Sequence, residues 1–126
     1  KIARLTEAFL RKIAPPTVTV TCHRSGHSYP TLVDKDDVAV QAADRAYQKS
    51  FGHPAIYFRA GGSLPIVHDI TMSLGVPVAM IGFGLPDDRP HGPNEKLHLP
   101  NFFKGVEMAI HYFFELADSL RGRSRP

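Results

Sequence analysis

The sequence predicts an α/β fold in which parallel strands alternate with helices. From Asp36 onward, helical patterns and short apolar runs follow one another in the order helix, strand, helix, strand, helix. The run over residues 76–83, VPVAMIGF, is almost wholly apolar, which is typical of a strand buried on both faces of a sheet. Because such alternation requires crossover connections, it implies a parallel sheet covered by helices.

Four helices are expected from the spacing of apolar residues. They span approximately residues 2–13, 36–51, 63–74 and 101–120. The first ends before Pro15, because proline lacks an N–H and clashes with the preceding turn. Asp36 or Asp37 can cap the second helix, and Gly75 ends the third.

Three strands are expected, over residues 17–21, 55–58 and 76–83. The first, TVTVT, alternates β-branched polar and apolar residues, as a half-buried strand does. The opening helix and this strand precede a polar turn and do not fit the later alternation. We therefore expect a boundary at which residues 1–33 end one domain and residues 34–126 form part of another.

Composition favours an ordinary globular protein and excludes several partners. The 126 residues are 43% apolar and carry a net charge of only +3, much of it in the tail at Arg121, Arg123 and Arg125. This charge is too small to predict nucleic-acid binding, and no apolar run reaches the roughly 20 residues of a membrane span. Cys22 is the single cysteine, so we expect a reducing, cytoplasmic location.

The first candidate site is Gly61-Gly62-Ser63, between a predicted strand and a predicted helix. A helix N-terminus offers free N–H groups to an anion, and glycines allow the ligand to approach the backbone. Ser63 adds a hydroxyl donor. The alternative is a tight turn in which Ser63 only caps the helix. A phosphate loop is disfavoured because no lysine follows at the required position.

The second candidate is His91 in the segment PHGPNE. Imidazole is the commonest protein ligand of zinc, and the flanking prolines would hold the ring without a helix. Glu95 could hold this metal ligand in place without touching the metal itself. The alternative is an exposed histidine in a proline-rich loop. Asp87 and Asp88 are expected to be solvated turn residues.

His23 and His27 form a third candidate, since either could face a ligand from the loop over residues 23–30. The alternative is that both are exposed polar residues of a turn. A Ser-His-Asp triad of Ser63, His91 and Asp87 can be written, but no G-x-S-x-G elbow supports it.

Four motifs occur in an order that resembles one enzyme family. They are RAGGSLP at 59–65, GFGLPDD at 82–88, HGPNEK at 91–96 and NFFKG at 101–105. Together they resemble the C-terminal part of the di-zinc exopeptidases that include carnosinase, aminoacylase, acetylornithine deacetylase and carboxypeptidase G. Dipeptidase-like members read R-E-G-G-S-I-P followed by G-x-x-x-x-D-x-x-H-x-P-N-E. The resemblance covers about residues 17–117.

The resemblance implies a partial parallel-sheet catalytic domain over residues 34–126, preceded at 1–33 by the last helix and strand of an α+β lid that forms dimers. It implies that His91 is a zinc ligand and that Ser63, with Gly61 and Gly62, binds the substrate carboxylate. It also implies a histidine that faces the substrate, for which His27 matches better and His23 is possible. Ala60 and Gly92 depart from the family pattern, which has Glu and Ser or Ala there.

The activity implied is hydrolysis of an amide bond next to a free carboxylate, in a dipeptide or N-acyl amino acid, with two zinc ions as cofactors. The family also uses an H-x-D pair, a Glu-Glu pair and a further acid that lie upstream of these motifs, and none is found in this sequence. We therefore expect the chain to be inactive alone and its parent to be a homodimer. The competing hypothesis is a non-catalytic module that binds a small anion.

Overall fold

The computed structural model describes residues 1–26, 29–60 and 64–123. Within these residues the chain forms helices joined by irregular segments. The helices are α1 (Ile2–Ile13), α2 (Val38–Phe51), α3 (Pro65–Leu74) and α4 (Leu99–Arg123). None of the described helices combines the length and the apolar character that crossing a membrane requires.

Local signals set the helix ends, as the sequence predicted. The Asp37 side chain accepts a hydrogen bond from the N–H of Ala39 (2.8 Å) and so caps α2. Gly52 and Gly75 end α2 and α3 in the left-handed conformation, with φ of 81° and 62°. The N-cap of α3 is Leu64, whose side chain makes no capping hydrogen bond.

The core lies between α2 and α4. One face of α2 is rich in small residues, which lets α4 approach closely and bury Met108 to 2% exposure. The buried apolar residues are Ala39, Val40, Ala42, Ala43, Ala46, Val67 and Met108. Half-buried Tyr47, Phe51, Ala79 and Tyr112 pack against Ala43, Ala46 and Met108.

An ion-pair network also joins these two helices. Glu115 on α4 accepts hydrogen bonds from Arg45 (2.7 Å) and Lys49 (2.6 Å) on α2. The hydrogen bond from Lys49, followed by that from Arg45, holds the pKa of Glu115 below its ordinary value. Arg45 also donates to the hydroxyl of Ser119 (2.6 Å), so one guanidinium bridges two turns of α4.

The predicted parallel sheet is wrong. No strand is present in the described part of the chain, and residues 17–21, 55–58 and 76–83 are all irregular. Ile56 and Phe58 are 86% and 81% exposed, although the sequence predicted a short apolar strand there. A strand exists only when another backbone pairs with it, and an apolar run carries no information about that partner. The predicted domain boundary near residue 33 stays a prediction.

The segment that was predicted as the buried strand instead lies against α4. The ring of Phe83 sits over Gly105, so closely that a Cβ at Gly105 would lie 2.4 Å from Phe83 Cζ. The Asn101 side-chain amide donates to the Phe83 carbonyl (3.0 Å). These contacts fix the start of the loop that contains His91.

Candidate functional site

The structure describes only part of the predicted site. His91 and Glu95 lie in the loop between Phe83 and α4. Gly61, Gly62, Ser63 and His27 lie outside the described residues, so their predicted roles stay predictions.

Asp88 joins the two ends of the loop. Its Oδ2 accepts a hydrogen bond from the N–H of Leu85 (2.6 Å), and its own N–H donates to the Leu85 carbonyl (3.0 Å). The Asp88 carbonyl accepts a hydrogen bond from the N–H of Lys96 (3.1 Å). One residue therefore contacts both the beginning and the end of the segment 85–96 that contains His91.

His91 is held in an uncommon backbone conformation. Its φ is 65°, and Arg89 (54°) and Asn94 (59°) are also left-handed. Each such non-glycine residue costs on the order of 1–3 kcal/mol and persists only where the surroundings hold it. The His91 side chain is exposed, and its backbone N–H donates to Glu95 Oε2 (3.3 Å). Glu95 thus contacts the backbone of His91.

Gly92 forms the tight turn that follows Arg89 in this loop. Its N–H donates to the Arg89 carbonyl (2.9 Å), and a Cβ at position 92 would lie 3.1 Å from that carbonyl oxygen. A Ser or Ala there, as in the family pattern, would require the backbone to shift by a few tenths of an ångström. The glycine therefore fits this particular loop conformation.

An ion pair also lies on the exposed surface of this loop. Lys96 Nζ donates a hydrogen bond to Asp87 Oδ2, and both side chains are largely exposed. This hydrogen bond lowers the pKa of Asp87 and raises the pKa of Lys96. The prediction that Asp87 is a solvated turn residue is confirmed.

A ring contact joins the loop over residues 23–30 to α3. The ring of Tyr29 lies 4.8 Å from the ring of His68 on α3, centroid to centroid. Tyr29 follows the undescribed residues 27 and 28, and α3 follows the undescribed residues 61–63. His23 is exposed. The contact therefore associates the connection with α3 and makes no link to His91.

The described residues offer one candidate metal ligand without a complete metal site. No group of three or more His, Cys, Asp or Glu side chains converges in the parts of the chain that are described. A zinc site needs at least three protein ligands, whereas an exposed imidazole on a held loop fits the role of one. His91 can thus contribute to a site that other residues complete.

The sequence reasoning missed Asp88. It was predicted to be solvated, yet it is only 7% exposed. The available signal was its position three residues after Leu85. An acidic side chain at that distance can reach back to a free N–H, as the third residue of a capping box does.

Several relatives of known activity match the chain over part of their length. The chain is 38% identical over 81 residues to Cys-Gly metallodipeptidase dug1 of Schizosaccharomyces pombe, which covers 64% of this chain and 16% of the relative. It is 30% identical over 89 residues to Beta-Ala-His dipeptidase of Homo sapiens, covering 71% and 18%. It is 29% identical over 112 residues to Cys-Gly metallodipeptidase DUG1 of Candida albicans, covering 86% and 23%.

The chain spans less than a quarter of the length of these relatives. No solved structure matches it. The family model that matches, Peptidase family M20/M25/M40, covers residues 5–115. This match confirms the family resemblance of the four motifs, and the chain belongs to the M20/M25/M40 peptidase family.

Proposed function

We propose that this chain is a section of a metal-dependent dipeptidase. The observation that carries the proposal is the exposed imidazole of His91 on a loop closed by Asp88, in a chain that belongs to a peptidase family. The chemistry that a divalent metal supplies in such sites is polarisation of a carbonyl and activation of a water. His91 binds that metal, and Glu95 holds the His91 backbone.

The substrate in this proposal is a dipeptide or an N-acyl amino acid. Relatives that match the chain are named as dipeptidases for Cys-Gly and Beta-Ala-His. The Gly61-Gly62-Ser63 segment would bind the free carboxylate of such a substrate, because it precedes the N-terminus of α3, where the helix dipole favours an anion. His27 would face the substrate.

The family resemblance supplies further features of the proposed enzyme. The metal would be zinc, the complete site would hold two ions, the protein would be a homodimer, and residues 1–33 would end a lid domain. The cytoplasmic location rests only on the single Cys22. The general base and the remaining ligands would come from other parts of a longer protein, so the chain alone would be inactive.

The test is His91→Ala in the full-length enzyme. We expect reduced metal content and a fall in kcat/KM of more than about 100-fold, the upper end of the effect of losing a residue that only supports a metal ligand. Bound metal is measured by elemental analysis after dialysis, and the fold by circular dichroism.

His98→Ala is the matched control, because His98 is also exposed and lies at the end of the same loop. It should leave metal content and kcat/KM unchanged. Wild-type metal content and activity in His91→Ala would refute the proposed ligand role.

A further inference from the structure

We propose that Asp88 is a positioning residue that presents His91 to the metal. The inference rests on the proposed function, because it assumes that His91 is a ligand. Asp88 would not touch the metal itself. It would act by holding the backbone of the segment 85–96 in the conformation that His91 needs.

Burial separates Asp88 from the rest of the loop. It is 7% exposed, whereas its neighbours Asp87, Arg89 and Pro90 are exposed. A buried carboxylate must be compensated by hydrogen bonds. Asp88 Oδ2 receives one from the Leu85 N–H, and Oδ1 is buried without a hydrogen-bond partner among the described residues. An ordinary turn residue would be solvated, so the burial of Asp88 indicates that its hydrogen bonds hold the loop together.

The hydrogen bonds of Asp88 lie at both ends of a segment with an unfavourable backbone conformation. Arg89, His91 and Asn94 are all left-handed, which is unfavourable for residues with a side chain. The hydrogen bonds from Leu85 and Lys96 to Asp88 close the segment around these three residues. Loss of the side-chain hydrogen bond would allow the loop to relax, and the imidazole would no longer be preorganised for metal binding.

A direct metal-ligand role for Asp88 fits the structure less well. Its Oδ2 accepts a hydrogen bond from the Leu85 N–H, and its Oδ1, which has no hydrogen-bond partner among the described residues, is buried, whereas the His91 imidazole is exposed. A ligand carboxylate would have to share the solvent-facing side with the imidazole. The geometry therefore supports action through the backbone.

The experiment compares Asp88→Ala, Asp88→Asn and Asp87→Ala in the full-length enzyme, with zinc affinity measured by chelator competition. We expect Asp88→Ala to weaken zinc affinity by roughly 10- to 100-fold, the range seen for residues that orient a ligand. Its kcat should fall more than its KM rises. Asp88→Asn retains an acceptor for the Leu85 N–H and should restore affinity to within about threefold. Asp87→Ala removes only an exposed ion pair and should have no effect.

A second readout needs no metal and uses the 126-residue chain. Amide hydrogen exchange followed by NMR should be faster at Leu85 and Lys96 in Asp88→Ala than in the wild type, and unchanged in Asp88→Asn. If Asp88→Ala does not fold, Asp88→Glu replaces it in both experiments. The added methylene moves the carboxylate away from the Leu85 N–H while keeping its charge.

The outcomes distinguish the two proposals. Wild-type zinc affinity in Asp88→Ala, together with loss of zinc in His91→Ala, would overturn the positioning role and leave the proposed function intact. Unchanged zinc binding in His91→Ala would overturn the proposed function, and with it the ligand that Asp88 positions. Unchanged exchange at Leu85 in Asp88→Ala would overturn the loop closure itself.

Discussion

The contact between Gly105 and Phe83 links the loop to the helix pair at the level of single residues. Gly105 is buried in α4, and three atoms of the Phe83 ring lie within 2.4–2.8 Å of where its Cβ would be. Phe83 also packs near Phe51 of α2, with ring centroids 6.3 Å apart. The absence of a side chain at position 105 therefore allows the start of the loop to dock between the two helices.

We expect Gly105→Ala to destabilise the chain in spite of the better helix propensity of alanine. The propensity gain is about 1 kcal/mol, and overpacking typically costs about 1–3 kcal/mol. The net loss in the free energy of unfolding should be on the order of 1 kcal/mol, measured by urea denaturation.

Gly122→Ala is the matched control in the same helix, because a Cβ at Gly122 meets nothing within 4 Å. It should be neutral or slightly stabilising. A Phe83→Ala background removes the clash, so Gly105→Ala should cease to destabilise there. An equal penalty in both backgrounds would show that Phe83 is not the cause.

Only some residues of the candidate site could be predicted from the sequence. His91 was singled out because its flanking prolines and glycine could hold the ring and because the family resemblance implies a ligand there, and that role stays a prediction. Asp88 was missed because its burial depends on where the following loop returns, which the sequence does not state locally. The carbonyl of Asp88 contacts Lys96, eight positions later, and this contact is a property of the closed loop.

Among the elements, the α2–α4 pair is held by charge as well as by packing. Glu115 is 15% exposed and is shared by Arg45 and Lys49, which belong to one face of α2. Pairs that are partly exposed contribute about 0.2–1 kcal/mol each, and this carboxylate takes part in two of them. The network fixes how α4 lies along α2 beyond what the small alanine face specifies.

We expect Glu115→Gln to lower the free energy of unfolding by about 1 kcal/mol at neutral pH. The folded-state pKa of Glu115 lies below its unfolded value, so its contribution is present above the unfolded pKa and is lost as pH falls through the depressed folded pKa. The difference between wild type and variant should therefore shrink as pH falls below the ordinary glutamate pKa of about 4.3. Thermal unfolding across this range measures it.

Glu107→Gln provides the control, because Glu107 is exposed on α4 and lies 3.7 Å from His111 of its own helix. Its effect on stability should be small at neutral pH. If both variants lost the same stability and showed the same pH dependence, the helix-bridging role of Glu115 would be refuted.

The helices were predictable because their signals are local. Proline, a capping aspartate and C-terminal glycines act within one turn, and the structure places the helix ends at those residues. The strands were not predictable in the same way. The run over 76–83 does place Ala79 and Phe83 against the helices, while Met80 and Ile81 stay 53% and 40% exposed. Apolar character predicted contact, but pairing depends on a partner backbone that the pattern does not contain.

Much apolar surface is exposed in the part of the chain that the structure describes. No residue of α1 is buried, although five apolar side chains line it. The broad apolar face of α4 is also exposed, with Phe103, Phe113 and Phe114 at 65% to 70%. That face is not the one that contacts α2, which uses Met108 and Tyr112 instead. Large apolar patches of this kind are typical of surfaces that bind protein, membrane or ligand.

At this scale we expect the 126-residue chain to retain no stoichiometric zinc. Tight zinc binding requires at least three ligands in one place, and no such group exists among the described residues. A single exposed imidazole, that of His91, leaves most of the metal's coordination to water. Zinc content after dialysis is therefore expected to be well below one ion per chain, and hydrolysis of Cys-Gly should be undetectable.

The same measurement on His91→Ala tests the reason for that result. If His91 is one ligand of an incomplete site, the variant and the wild-type chain should both be free of retained zinc, because neither reaches three ligands. The full-length enzyme should differ, since there the loss of His91 removes one ligand from a complete set. Stoichiometric zinc in the 126-residue chain, abolished by His91→Ala, would mean that residues of this chain alone complete the site and would contradict the proposal that the remaining ligands come from elsewhere.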